Sequence, residues 1–242
     1  MIARIIAVAC HKGGTGKTTT AYWLGYHFAA LGHLHLLIDL DPLATLTRVT
    51  GLGIGGKTIA DVLLNECTLY DAKRSSLQAL NVISADSKLA WAAAYMQAQS
   101  PNHKFLYNAL RGLPANVTAV IDCPPSAGNL IVNALVAATH VVIPVEPETE
   151  AIDGMLHMLD MVGDCQDLGN GARVIGVVIT RANANVLRHQ QGIERIEKEL
   201  DTRGLEVIGV VPMRQGVDAQ ARLQEAYAPI ARDVLFAVGG GS

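Results

Sequence analysis

The sequence predicts an α/β fold, a mostly parallel twisted sheet flanked by helices on both faces. Three observations predict it. Short apolar runs recur at residues 5–9, 34–40, 80–83, 117–121, 141–145, 174–179 and 207–211, and they are continuous rather than alternating, as strands buried on both faces are. Most gaps between the runs are long enough for the crossover helix that parallel neighbours require. Half of the 242 residues are hydrophobic but only 5% are aromatic, so the core is built from Ala, Val, Ile and Leu.

Each element has its own signal. Residues 17–31 form the first helix, ended by Gly32 in the left-handed position that follows many helices. A short helix follows at 59–64. Helices at 88–97 and 103–111 are separated by Pro101, and three more are expected at 128–138, 153–164 and 188–203. The last stretch is helical at 219–227 and 230–237, on either side of Pro229. There is no internal repeat and no break in composition, so residues 1–238 read as a single domain, and Gly239-Gly240-Gly241-Ser242 as a linker scar.

Composition narrows function. Nineteen Lys and Arg against 22 Asp and Glu give a formal charge of −3, so no global basic character points to nucleic acid, although a local patch is compatible with it. Cys10, Cys67, Cys123 and Cys165 form no C-x-x-C pair and no disulfide framework. Lys12 and two glycines cut short the apolar start, so neither a signal segment nor a membrane span is expected there. The chain reads as cytoplasmic.

The chemistry begins at Lys12-Gly13-Gly14-Thr15-Gly16-Lys17-Thr18-Thr19, between an apolar strand and a helix. Glycines let successive N–H groups turn inward as an anion nest, and the helix N-terminus adds partial positive charge. Lys17 is placed to reach the β- and γ-phosphates, and the Thr18 hydroxyl to ligate Mg²⁺. Asp39 and Asp41 end the second apolar run, where α/β sheets place ligands, and a spacing of two puts them on one side if the strand continues to Asp41. Asp122 ends the 117–121 run as a second metal-facing carboxylate, and Cys123 beside it reads as packed rather than nucleophilic.

Position 11 is His where the general phosphate-loop pattern has Gly, and Lys12 follows it. The loop resembles the deviant Walker A loop of the ParA/MinD family, K-G-G-x-G-K-[ST]. Asp39-Leu40-Asp41-Pro42 and Asp122-Cys123-Pro124-Pro125 resemble its two switch segments, and 142–148 its I-P-V segment. The resemblance implies ATP and Mg²⁺ as cofactors and a P-loop NTPase fold. It implies that Lys12 reaches a partner's nucleotide across a homodimer, that Asp41 orients the attacking water and that Asp39 lies near the Mg²⁺ shell. It places adenine near Thr180, Arg181, Pro212 and Met213. The family often continues Q-G-N after the proline; here Leu43-Ala44-Thr45 lacks those amides.

Within the family, iron-protein reductases, C-x-x-C metallochaperones, tail-phosphorylated kinases and basic-tailed membrane binders each need a feature not seen here, so no membrane partner is expected. The chain looks like a short ParA-like positioning protein, of plasmid or chromosome partition or of McdA-like carboxysome positioning, without its own helix-turn-helix. Such proteins work as homodimers that bind nucleoid DNA without sequence preference and answer to a ParB-like or McdB-like adaptor. Candidate DNA contacts are Arg188, Arg195, Lys198, Arg203, Arg214 and Arg222, interleaved with Glu194, Glu197 and Glu199. Two readings stand at this point: an ATPase switch, or a nucleotide-gated scaffold with negligible hydrolysis.

Overall fold

The computed structural model describes residues 3–53, 55–99, 103–125, 128–213 and 218–239. Gly240, Gly241 and Ser242 of the tail, together with Ser126 and Arg214, lie outside them. One eight-stranded sheet organises the chain, in the order β3-β4-β2-β5-β1-β6-β7-β8. The strands are β1 (Arg4–Val8), β2 (His35–Asp39), β3 (Lys73–Ser75), β4 (Asn81–Ile83), β5 (Thr118–Asp122), β6 (His140–Val145), β7 (Arg173–Ala182) and β8 (Val207–Pro212). All neighbours run parallel except β3 on β4. Every apolar run of the sequence is a strand. The strand it does not announce is β3, three residues of Lys-Arg-Ser at the edge, where no apolar face is needed.

Side chains of β1 alternate between two cores. Ile5 and Ala7 face one apolar cluster, and Ile6 and Val8 the other. The first cluster is closed by α3 (Ile59–Leu63), α4 (Leu69–Ala72), α5 (Lys88–Ala98), α6 (Phe105–Leu110), α7 (Asn129–Ala137), α8 (Thr149–Cys165) and α9 (Leu187–Asp201). The second is closed by α1 (Lys17–Ala30), α2 (Thr45–Val49) and α10 (Ala219–Ala237). Helix α10 is a single helix with Pro229 inside it, where the sequence suggests two segments. It packs along α1, and the buried Tyr227 hydroxyl and Thr20 Oγ1 are hydrogen-bonded at 2.9 Å.

The topology fixes where chemistry can occur. The chain leaves β1 for β2 on one side and later reaches β6 on the other, so β1 lies at the reversal of strand order. Its C-terminal end opens there beside those of β5 and β2, the crevice where open α/β sheets bind ligands. Among the described residues no helix is long and apolar enough to cross a membrane.

Candidate functional site

The loop between β1 and α1 is shaped by two left-handed glycines, Gly14 (φ 83°) and Gly16 (φ 87°). Gly16 also lies against β7, where a Cβ would sit 3.2 Å from Thr180 Cγ2. Gly16 starts α1 with no side-chain cap, and the first turn of α1 carries no acidic residue. The N–H groups at that end are therefore free to bind an anion. Gly13, Gly14 and Thr15 belong to this loop, and Lys17, Thr18 and Thr19 to the first turn of α1.

The two lysines of the loop do different things. Lys17 is only 6% exposed, and its Nζ donates to the Lys12 carbonyl at 2.7 Å, folding the side chain back over the nest. Burial pulls its pKa down, with partial restoration from Cys10 and Asp122. Lys12 turns outward: its side chain is 30% exposed and its Nζ lies 2.9 Å from Glu150 of α8, whose carboxylate is 84% exposed. Helix α8 passes close by at Gly154, where a Cβ would lie 3.4 Å from Lys12 Cβ, in ordinary contact. His11 stacks edge-on against His157 of α8 at 4.6 Å.

Two carboxylates stand side by side at the strand ends, since Asp39 and Asp122 are register partners of β2 and β5. Both are buried, and burial raises both pKa values, that of Asp122 far more. Asp39 Oδ2 accepts from Thr47 N (2.8 Å) and Thr47 Oγ1 (2.7 Å), and Oδ1 accepts from Asp41 N at 3.2 Å. Among the described residues neither Asp122 oxygen has a hydrogen-bond partner of good geometry, and the Thr18 hydroxyl is the side-chain donor that lies beside it. A buried carboxylate left unpaired beside a threonine hydroxyl and a phosphate nest is a donor set that suits a hard divalent cation. Thr18 and Asp122 fit Mg²⁺. Asp39 stands beside Asp122, and its oxygens accept from Thr47 and Asp41, so it also anchors the start of α2.

Strand β2 also ends at Asp39, so the alternation argument does not carry to Asp41. Asp41 sits in the following turn, accepting from Leu43 N at 2.9 Å and close enough to act electrostatically on both Lys17 and Asp122. Ala44 takes the place of the family's glycine with φ 53°, a left-handed position that suits glycine better than alanine. Leu43 beside it is exposed. Burial drives the Cys123 thiol far above its ordinary pKa, which fits packing and not nucleophilic work.

The adenine expectation divides. Thr180 is buried and its hydroxyl donates to the Thr15 carbonyl at 2.9 Å, so it braces the phosphate loop from behind and cannot meet a base. Arg181 follows with φ 51° and pairs with Glu146 at 3.0 Å. Pro212 and Met213 do come together, lining an open cleft of about 360 Å³ with Ala182, Asn183 and Ala184. Asn183 of this cleft carries no motif in the sequence.

The candidate DNA residues do not form one patch. Arg188, Arg195 and Arg203 are held by Glu148 (3.7 Å), Asp153 (2.8 Å) and Glu199 (3.0 Å). Helix α9 carries Arg188, Arg195 and Lys198 over one sheet face, with Arg203 in the turn that follows it, while the exposed Arg222 belongs to α10 over the other. The interleaved carboxylates of the sequence, joined by those of α8, neutralise α9.

The chain matches the AAA domain family over residues 3–173. It is 35% identical over 204 residues to the sporulation initiation inhibitor protein Soj of Bacillus subtilis, spanning 81% of this chain and 80% of that one. It is 38% identical over 186 residues to the chromosome partitioning protein ParA of Caulobacter vibrioides, spanning 73% and 69%. Among solved structures, cobyrinic acid a,c-diamide synthase from Mycobacterium smegmatis, with bound ATP analog and magnesium, superposes with a TM-score of 0.88 at 27% identity, over 100% of this chain and 98% of that chain. Apo McdA from Cyanothece superposes with a TM-score of 0.85 at 21% identity, over 98% and 100%, a likeness of fold.

Proposed function

We propose a function that proceeds from one premise: this chain belongs to the ParA/MinD family of deviant Walker A ATPases. It is an ATP-dependent switch. ATP and Mg²⁺ close a homodimer, the dimer holds nucleoid DNA without sequence preference, and a ParB-like or McdB-like adaptor stimulates hydrolysis to position or segregate a cargo. The observation that carries this reading is the division between the loop lysines. Lys17 lies over its own nest, whereas Lys12 projects away from it toward an exposed glutamate. A lysine turned out of its own site reaches a nucleotide when a second copy is brought face to face.

The residues then have distinct roles. The loop N–H groups and Lys17 hold the phosphates, and Lys12 of the second copy adds positive charge where the transition state gains negative charge. Thr18 and Asp122 hold Mg²⁺, which neutralises phosphate charge when bound. Asp41 orients the attacking water, Asp39 keeps the turn that carries Asp41 in place, and Pro212 and Met213 border the base. Lys198 and Arg222 are the described candidates left for DNA.

Asp41→Ala tests this. It should bind ATP and form a long-lived dimer yet lose phosphate release, the signature of a contact made in the transition state. Normal turnover in the variant would remove Asp41 from the role. The scaffold reading is favoured by one observation, the missing amides after Pro42 with Leu43 exposed in their place. It prevails if the wild-type protein releases no phosphate with DNA and adaptor present.

A further inference from the structure

We infer that α5 is a docking face for a partner's amphipathic helix, apolar along one side and basic at its flank, and that occupancy of this face is read at Asp41 through Thr47. The inference rests on the switch reading above and gives the stimulating partner a chemistry and a route.

Helix α5 buries Leu89, Ala92 and Met96. On its far side Trp91 is 59% exposed and Tyr95 43%, their rings stacked 6.0 Å apart at 21°. Ala90, Ala94 and Ala98 run beside them at a spacing of four, also exposed. An aromatic ridge next to a row of small residues is the relief into which the i±4 ridge of another helix packs. Trp and Tyr are the residues that anchor such contacts.

Charge selects the occupant. The one charged residue of α5 is Lys88, and its ammonium is already held by Asp61 (2.8 Å) and Glu66. Asp86, just before the helix, accepts from the Lys88 backbone N–H, so three carboxylates gather at the N-terminal end of the apolar face against one cation and leave an acidic rim there. A second copy of α5 would bring no free cation to that rim. A partner helix with lysines or arginines flanking its apolar stripe would.

The route begins where α5 does. Ala85, between β4 and α5, donates its N–H to Thr47 Oγ1 at 2.9 Å. That hydroxyl donates to Asp39 Oδ2 at 2.7 Å, and Asp39 Oδ1 accepts from Asp41 N. Ala85, Thr47 and Asp39 are all buried, so water does not substitute for a broken member of the chain. A tilt of α5 therefore reaches the backbone of the water-positioning aspartate.

The test uses the whole protein and a synthetic amphipathic peptide of leucine and lysine, about five helical turns long. Controls have the same composition in scrambled order, or glutamate in place of lysine. Trp91 emission is isolated by subtracting the Trp91→Phe variant, since the other tryptophan, Trp23, is buried. The patterned peptide should shift Trp91 emission to the blue saturably and raise phosphate release in ATP and Mg²⁺. Trp91→Ala with Tyr95→Ala should weaken binding about tenfold or more and abolish stimulation, with basal release unchanged. Thr47→Val should bind the peptide but not be stimulated, and Thr47→Ser should restore the response.

Equal binding of the scrambled peptide, or a wild-type response from the double variant, would overturn the docking face. A shift of Trp91 emission with ATP and protein concentration alone would assign the face to a second copy instead. Stimulation surviving in Thr47→Val would overturn the route. If the wild-type protein shows neither ATP-dependent dimer nor phosphate release, the switch reading fails, and the Trp91 emission still decides whether α5 docks the peptide.

Discussion

Asp39 and Asp122 end neighbouring strands, face each other in register and are both buried, yet one is fully satisfied and the other is orphaned. Asp39 gathers three donors from Thr47 and Asp41; Asp122 gathers none. The first is a structural joint that converts the end of a strand into the start of a short helix. The second keeps its lone pairs at a cost to stability, as a carboxylate reserved for a cation would. Satisfaction of hydrogen bonds, more than burial or position, separates the carboxylate that anchors from the one left open to a ligand.

The sharpest way to break this contrast is Asp122→Ala. Mg²⁺-dependent nucleotide affinity should fall about 10³-fold, or ~4 kcal/mol, in equilibrium titration with a fluorescent ATP analogue. A small loss would mean that Asp122 is not the cation's ligand.

Asp39→Ala should behave in the opposite manner. It strands three donors at about 1 kcal/mol each, so it should cost about 3 kcal/mol and lower Tm by about 6–12 °C in calorimetry. Nucleotide affinity, measured well below that Tm, should change little.

Thr47→Val sharpens the comparison from the donor side. It leaves the Ala85 N–H unpaired and removes one bond to Asp39, for about 2 kcal/mol by denaturant unfolding. Asp39 retains the backbone N–H of residue 47, so the loss should stay below that of Asp39→Ala.

The smallest effect is a pH dependence. Asp122 has a raised pKa in the folded state, so its burial penalty is full above that raised value and disappears as pH falls toward the ordinary carboxylate range. Asp122→Asn should be more stable than wild type by about 1 kcal/mol at neutral pH, the new amide being itself poorly partnered. Wild type should close that gap as pH falls toward about 4. A gap that widened on acidification would reverse the assignment of strain to Asp122.

The same two residues show what sequence can and cannot report. Each follows an apolar run, and that pattern correctly places both at strand ends. Nothing in the string distinguishes them, because the partners of Asp39 come from Thr47, eight residues on, in a helix too short for periodicity to reveal. The phosphate loop is readable because its geometry is local: glycines, a lysine and a threonine act through adjacent backbone. Arg188 and Arg195 are not readable as paired, because their carboxylates, Glu148 just before α8 and Asp153 within it, come from a distant part of the chain. Strand β3 escapes for a related reason, since an edge strand of polar residues has no apolar signature.

One contact joins the two ends of the chain. The Thr20–Tyr227 hydrogen bond, 2.9 Å long and buried, pins the middle of α10 to the helix that opens at the phosphate loop. Burial pushes the Tyr227 phenol up to about 12, so the pin remains protonated throughout the physiological range. In mechanical terms α10 is clamped to α1 at two successive turns, at Tyr227 and at Gln224, whose carbonyl meets His27 and whose amide donates to Tyr26 Oη, so the segment that carries Arg222 continues from a helix fastened along its first half.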